Sequence, residues 1–178
     1  KFLHIPLQSG SDKVLKIMRR KYTVDRFRRI IKELRSKLPN IAIATDIIIG
    51  HPGEDEEDFE DTLRIVKELE FDRIHVAQYT IRPNTYSASL KQVNSKIKKE
   101  RMKRFLELME NIGLKKHSKY LGKVVKAFVT ERGRNTYTAR LINYTPVVIN
   151  SNKEIVGKWI NARIHKITFF DLRGDVIG

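Results

Sequence analysis

Cysteine is absent from all 178 residues. Disulfides are thereby excluded, and so is any iron–sulfur cluster or thiolate-bound metal held by this chain's own side chains. A cysteine-free chain fits a reducing compartment, and the expected location is cytoplasmic. Also missing is any apolar run approaching the ~18 residues that a membrane helix needs, so no membrane association is expected. The opening Lys1–Pro6 is too short for a signal peptide and runs into Gln8 and Ser9. It reads as a strand entered without a lead-in, and the expectation is that an N-terminal part is missing. No internal repeat and no low-complexity stretch is visible.

Hydrophobic residues make up 40% and charged residues 32% of the chain, which is enough for a packed core and argues against disorder. The net charge of +15 is unevenly placed. Residues 1–90 carry 16 Lys and Arg against 14 Asp and Glu, residues 91–117 carry 9 against 3, and residues 118–178 carry 11 against 4. A near-neutral first half followed by a basic second half points to a polyanionic partner for the second half.

Strand and helix signals alternate over the first ninety residues. Phe2–Leu7 is a short apolar run, and Ser11 and Asp12 can cap a helix containing Val14, Leu15 and Met18. Thr23 caps a second helix with Phe27, Ile30, Ile31, Leu34 and Leu38 at helical spacing, and Pro39 stops it. Ile41–Ile49 has the apolar, β-branched composition of a strand buried on both faces of a parallel sheet. After Gly50–Gly53 the acidic stretch Glu54–Asp58 opens another helix, and Arg73–Thr80 is the third strand. Three strands are too few to close a barrel and leave two open edges. The sheet is therefore expected to dimerise through those edges or to belong to a larger β/α barrel.

Arg82–Ser95 reads as a polar loop, and a long helix follows from about Ser95 to His117. Ile97, Phe105, Leu108, Met109 and Ile112 form its apolar face, and its first half is crowded with Lys and Arg. Beyond Gly122 come short alternating strands, Val124–Thr130, Thr136–Asn143, Val147–Asn150 and Trp159–Leu172. They indicate a small antiparallel barrel of OB-like type.

Ligands of β/α barrels bind where the loops leave the C-terminal ends of the strands. Those ends carry Gln8 and Ser9, then Asp46, then Gln78, Tyr79, Thr80 and Arg82. Asp46 stands out, because a carboxylate amid five isoleucines is costly unless it meets a donor or a ligand hydroxyl. The plainer reading makes Asp46 a cap for a neighbouring loop, and Gln8 and Ser9 helix-capping residues. The five histidines lack metal-ligand spacing and read as structural, and no nucleophile triad or phosphate loop is present.

The segments His4-Ile5-Pro6-Leu7-Gln8-Ser9-Gly10-Ser11-Asp12, Met18-Arg19-Arg20 and Tyr22-Thr23 resemble the fourth-strand region of radical-SAM methylthiotransferases. Thr45–Glu54 resembles their fifth strand and glycine-rich loop, and Gln78-Tyr79 with Arg82-Pro83-Asn84-Thr85 resembles their sixth strand and its loop. The basic C-terminal module is similar to a TRAM domain, so the resemblance covers essentially the whole chain. It implies an α/β fold: the last three β/α units of a radical-SAM barrel with a connecting helix (residues 1–117), then a TRAM RNA-binding barrel (residues 118–178).

The implied activity is transfer of a methylthio group to a hypermodified adenosine beside the tRNA anticodon. The loop from Gln78 to Asn84 looks most like the archaeal and eukaryotic branch, which acts on threonylcarbamoyladenosine. The implied cofactors are S-adenosylmethionine and two 4Fe–4S clusters, one on a CxxxCxxC motif and one on an N-terminal domain. Neither motif exists here, so the clusters must be ligated outside this chain and it is expected to be inactive alone. By the same resemblance Gln8 and Asp46 contact the ribose of S-adenosylmethionine, Arg20 its carboxylate, and Ile48 and Gly50 flank the adenine, with Ser9 beside them. Asn84 replaces the usual glycine of its loop, which a left-handed backbone would tolerate.

In the basic module, Arg132, Arg134, Arg140, Lys158, Arg163 and Lys166, with Lys119, Lys123 and Lys126, are expected to grip tRNA phosphates. Tyr137, Tyr144 or Trp159 could stack on bases. Phe169 and Phe170 are expected in the barrel core, and Trp159 is open between core and surface. Two other functions compete: methylthiolation of a ribosomal-protein aspartate, and a stand-alone RNA-binding module without catalysis.

Overall fold

β2 (Ala42–Ile49) is the strand around which the first part of the chain is built. In the computed structural model, which describes residues 1–177, it lies between β1 (Phe2–His4) and β3 (Arg73–Gln78). β2 and β3 are parallel, with Asp46 opposite His75 and Ile48 opposite Ala77. Gln8 bridges Ile47 in parallel sense beyond the end of β1. On one face of the sheet Ile43, Thr45, Ile47 and Ile49 are fully buried with Val14, Leu15, Ile31, Phe59, Val66 and Leu69 from the helices. Each large aliphatic side chain so buried contributes ~1.5–3 kcal/mol. On the other face Asp46 and Ile48 are half-buried and His4, His75 and Ala77 exposed. Ala42 and Ala44 on that same face are buried, so the expectation that this strand is buried on both faces holds for its first half, and the face opens only from Asp46 onward.

The helices begin where the sequence supplies caps. Ser11 accepts from the Val14 amide at the start of α1 (Asp12–Ile17), and Thr23 accepts from Arg26 at the start of α2 (Val24–Lys37). α3 (Glu56–Leu69) opens with a reciprocal capping box between Asp55 and Asp58. Within the stretch expected as loop, Tyr86–Ser89 forms a one-turn helix, α4. Asn84 sits at φ +64°, the left-handed conformation its loop requires. α5 (Ser95–Ser118) follows, with Phe105, Met109 and Ile112 buried but Ile97 exposed.

The chain divides into two compact units, one of Leu3–Met109 and the other of Lys1–Phe2 together with the residues from Glu110 onward. The second unit contains a closed barrel in the order β4-β5-β6-β8-β7. Its strands are β4 (Val124–Arg132), β5 (Tyr137–Arg140), β6 (Pro146–Asn150), β7 (Trp159–Ile167) and β8 (Leu172–Val176). All neighbours are antiparallel except β6 and β8. Ala127, Val129, Tyr137, Ala139, Val147, Ile149, Ala162, Ile164 and Leu172 fill its interior.

Two expectations for this barrel are corrected. The single strand Trp159–Leu172 is two strands, because the Thr168 hydroxyl accepts from the amides of Phe170 and Asp171 and folds the chain back. Phe170 lies in that turn and is 60% exposed, so it is not a core residue. Phe169 is half-buried in the same turn.

Gly10 marks the tightest approach in the first unit. A Cβ there would lie 2.5 Å from the Cα of Thr62, whose hydroxyl accepts from the Gly10 amide at 2.9 Å. Gly10→Ala is expected to destabilise the fold by about 1–3 kcal/mol through forced separation of this loop from α3. Urea unfolding checks it, and an unchanged midpoint would contradict the packing described.

Candidate functional site

At the C-terminal ends of the strands the backbone takes unusual conformations. Beyond β1 Gln8 has φ +71°, a region that costs a non-glycine residue ~1–2 kcal/mol, whereas the left-handed Arg19 (φ +57°) simply ends α1. Gln8 is held there because its amide donates to the Asp46 carbonyl at 2.8 Å and its carbonyl accepts from Ile48 at 2.9 Å. Its side-chain oxygen accepts from Arg20 Nη2 at 3.2 Å. Such residues persist where the surroundings over-determine them, a pattern concentrated at binding sites.

Asp46 projects from the open face of the sheet, its side chain 36% exposed, and its Oδ1 lies 2.8 Å from His4 Nε2. The carboxylate is thus partnered by an imidazole and reachable from solvent; it caps no buried loop. His75 stands opposite Asp46 in the register, and its ring centroid is 5.5 Å from that of His4. Neither His4 nor His75 was expected here. Alternation along a parallel register was the available signal, since it sets His75 beside Asp46 on one face.

Ile48 offers an apolar surface on the same face as Asp46, two residues further along the strand. Ser9, by contrast, is buried, and its hydroxyl accepts from the Ser11 amide at 3.2 Å, a turn-stabilising role. The structure therefore brings Gln8, Arg20, Asp46 and Ile48 together at the strand ends and turns the Ser9 hydroxyl into the local fold.

Gly50 begins the loop after β2 at φ +73°, and a Cβ there would lie 2.2 Å from Lys98 Cγ. Its amide donates to Glu54 Oε1 at 2.9 Å, and the same oxygen accepts from Arg101 Nη1 at 2.7 Å. Glu54 and Arg101 side chains are only 2% and 6% exposed. Arg101 also donates to Glu56, and Arg104 reaches Glu56 and Glu60. Lys98 Nζ donates to the Tyr79 carbonyl at 3.1 Å. Part of the positive charge at the head of α5 is therefore spent on bracing this loop, which composition alone did not reveal. His51 is buried in the same loop, with Nδ1 near the Pro52 carbonyl and Nε2 near the Ser87 hydroxyl, and burial lowers its pKa.

In the barrel unit the expected cations separate into two groups. Arg132 pairs with Glu154 at 2.9 Å, Arg140 lies 3.7 Å from Glu131, and Lys158 donates to the Glu154 carbonyl. Arg134, Arg163 and Lys166 are exposed, with no ion pair among the described residues. Of the candidate stacking residues, Tyr137 is 5% exposed and belongs to the core, which corrects its assignment. Tyr144 and Trp159 are exposed.

A family model described as the radical SAM superfamily matches residues 1–66, and a TRAM domain model matches residues 118–177. A protein of Methanocaldococcus jannaschii named "Probable threonylcarbamoyladenosine tRNA methylthiotransferase" is 41% identical over 177 residues, 99% of this chain and 40% of that protein. A protein of Alkaliphilus oremlandii named "tRNA-2-methylthio-N(6)-dimethylallyladenosine synthase" is 39% identical over 178 residues, 98% of this chain and 38% of its own length. One of the same name from Tropheryma whipplei is 49% identical over 145 residues, 78% of this chain and 31% of its own length. The first part of the chain thus matches the radical SAM superfamily, and nearly its whole length is similar to tRNA methylthiotransferases. The chain spans about 40% of the length of the curated relatives it matches. In this family S-adenosylmethionine and iron–sulfur clusters serve the reaction. A nucleoside linked to an amino acid suits the donor set of carboxylate, guanidinium and apolar face described above. A thiolate-bound cluster does not suit this chain, which has no cysteine.

Burial raises the Glu54 carboxyl from its ordinary 4.5 to about 7, against the opposing pull of the Gly50 amide and Arg101. A carboxyl whose folded pKa is raised contributes most stability below its unfolded pKa and loses that contribution as pH rises to the folded value. The stability of the wild type relative to Glu54→Gln is therefore expected to fall between pH 4.5 and about 7. Denaturant titrations of both proteins across that range check it; a relative stability that rose with pH would show that the ion pair outweighs desolvation.

Proposed function

We propose that residues 1–117 supply part of the S-adenosylmethionine pocket of a tRNA methylthiotransferase and that residues 118–178 supply its RNA-binding module. The observation that carries this reading is the junction of Gln8, Arg20, Asp46 and Ile48 at the strand ends. S-adenosylmethionine supplies the radical and the methyl group in this chemistry. Asp46 accepts hydrogen bonds from ribose hydroxyls, with His4 holding its Oδ1. Arg20, oriented by Gln8, receives the methionine carboxylate, since a guanidinium matches it in shape and charge. Ile48 and the Gly50 backbone lie against the adenine, and the Glu54–Arg101 pair fixes that loop.

The two 4Fe–4S clusters are ligated by cysteines outside these residues, so the chain alone does not transfer a methylthio group. The open edges of β1 and β3 pair with the remaining strands of a β/α barrel, or with a second copy of the chain. The substrate is threonylcarbamoyladenosine next to the tRNA anticodon, which places the reaction in the cytoplasm. The sequence of the Gln78–Asn84 loop and the Methanocaldococcus relative support that choice. Relatives named for dimethylallyladenosine match at comparable identity and favour a second reading, the isopentenylated adenosine. Mass spectrometry of tRNA nucleosides from cells with and without the gene separates the two.

Titration calorimetry with S-adenosylmethionine tests the pocket. Asp46→Asn is expected to weaken binding about tenfold, the value of one charge-assisted hydrogen bond, and Arg20→Ala by at least as much. Affinity unchanged in both variants would overturn the assignment.

A further inference from the structure

The outer wall of the barrel carries an aromatic pair that packing does not require. Along β4 and β7 alternate residues turn inward, with Ala127, Val129, Ile160, Ala162 and Ile164 in the core. Phe128 and Trp159 turn outward and stand opposite each other in the register, their ring centroids 5.3 Å apart and their planes inclined by 55°. Trp159 remains 55% exposed although it is the largest side chain available to the barrel. Leaving that much indole in water forgoes the burial that would stabilise the fold.

The surroundings of the pair are cationic. Lys126 Nζ lies 5.5 Å from the Trp159 ring centroid. Arg140 is the register partner of Phe128 on β5, and Arg163 faces Val124, four residues along β7 from Trp159. Glu131 near Arg140 and Asp175 opposite Arg163 are the carboxylates bordering this face, and Asp175 is engaged by His165.

We infer that Phe128 and Trp159 form a stacking platform for an unpaired nucleobase, with Lys126, Arg140 and Arg163 taking the flanking phosphates. The inference rests on the RNA reading of the barrel given above and makes it more specific. An exposed ring can stack only on a base whose face is free, so the platform selects loop or single-stranded nucleotides over duplex. A uniformly basic wall without aromatics would grip both alike through their phosphates.

Trp159 is the single tryptophan of the chain, so its fluorescence reports directly on the platform. The full chain is titrated with an unmodified anticodon stem–loop RNA and, separately, with a blunt RNA duplex of equal charge. The stem–loop is expected to quench Trp159 and the duplex to leave it unchanged. Trp159→Ala is expected to weaken stem–loop binding, measured by anisotropy of labelled RNA, about tenfold while duplex binding stays the same. Trp159→Phe, which keeps an aromatic ring and the strand, should retain most of the affinity. Binding of the stem–loop with unchanged fluorescence, or equal losses for both RNAs in Trp159→Ala, would overturn the platform and leave the RNA reading standing. Binding of neither RNA at low salt would overturn both.

Discussion

The buried contact between Glu54 and Arg101 is the constraint on which the candidate pocket depends. It closes at 2.7 Å in surroundings from which water is almost excluded. Taking two charges out of water is costly, and removing one partner of such a pair typically destabilises by about 3–5 kcal/mol because the other is stranded. Glu54 also accepts from the Gly50 amide, so the pair fixes the first residue of the loop that leaves β2. Because Gly50 packs against Lys98, the head of α5 and the end of the central strand are positioned by one set of contacts. Asp46 lies on β2 four residues before Gly50, paired with His75 in the ladder and bonded through its carbonyl to the Gln8 amide.

The two faces of the sheet divide structure from chemistry. One face is closed by helices and holds the fully buried isoleucines of β2. The other presents His4, Asp46, Ile48 and His75. In a parallel sheet every second residue faces each way, so one strand can build a core and display a functional row together. The barrel uses the same device: its strands fill the interior with Ala, Val and Ile while Lys126, Phe128, Trp159 and Arg163 face out.

Much of this was legible from sequence. Caps at Ser11 and Thr23 and the alternation of strand and helix followed from local chemistry, and the left-handed Asn84 fits the glycine that the family resemblance puts there. The residues that meet at the strand ends were named through family resemblance, and Asp46 also through the physics of a carboxylate in an apolar strand. What was not legible depended on contacts distant in sequence. Arg101 looked like one more surface cation on a basic helix, yet it is buried against a residue 47 positions away. His4 looked solitary until the sheet set it 2.8 Å from Asp46. The Thr168 turn was hidden inside the apolar and β-branched residues Ile167–Phe170, which made one strand of two and buried Phe170 in expectation only.

The central claim is that cosubstrate and RNA are handled by different residues, at the strand ends and on the barrel wall. Amide chemical-shift mapping of the 20.9 kDa chain tests this most directly, with S-adenosylmethionine and tRNA added in separate titrations. S-adenosylmethionine is predicted to shift the amides of Gln8, Asp46, Ile48 and Gly50 and to leave β4 and β7 unperturbed, while tRNA does the reverse. Shifts from S-adenosylmethionine confined to the barrel, or none at the strand ends at saturating concentration, would contradict the account.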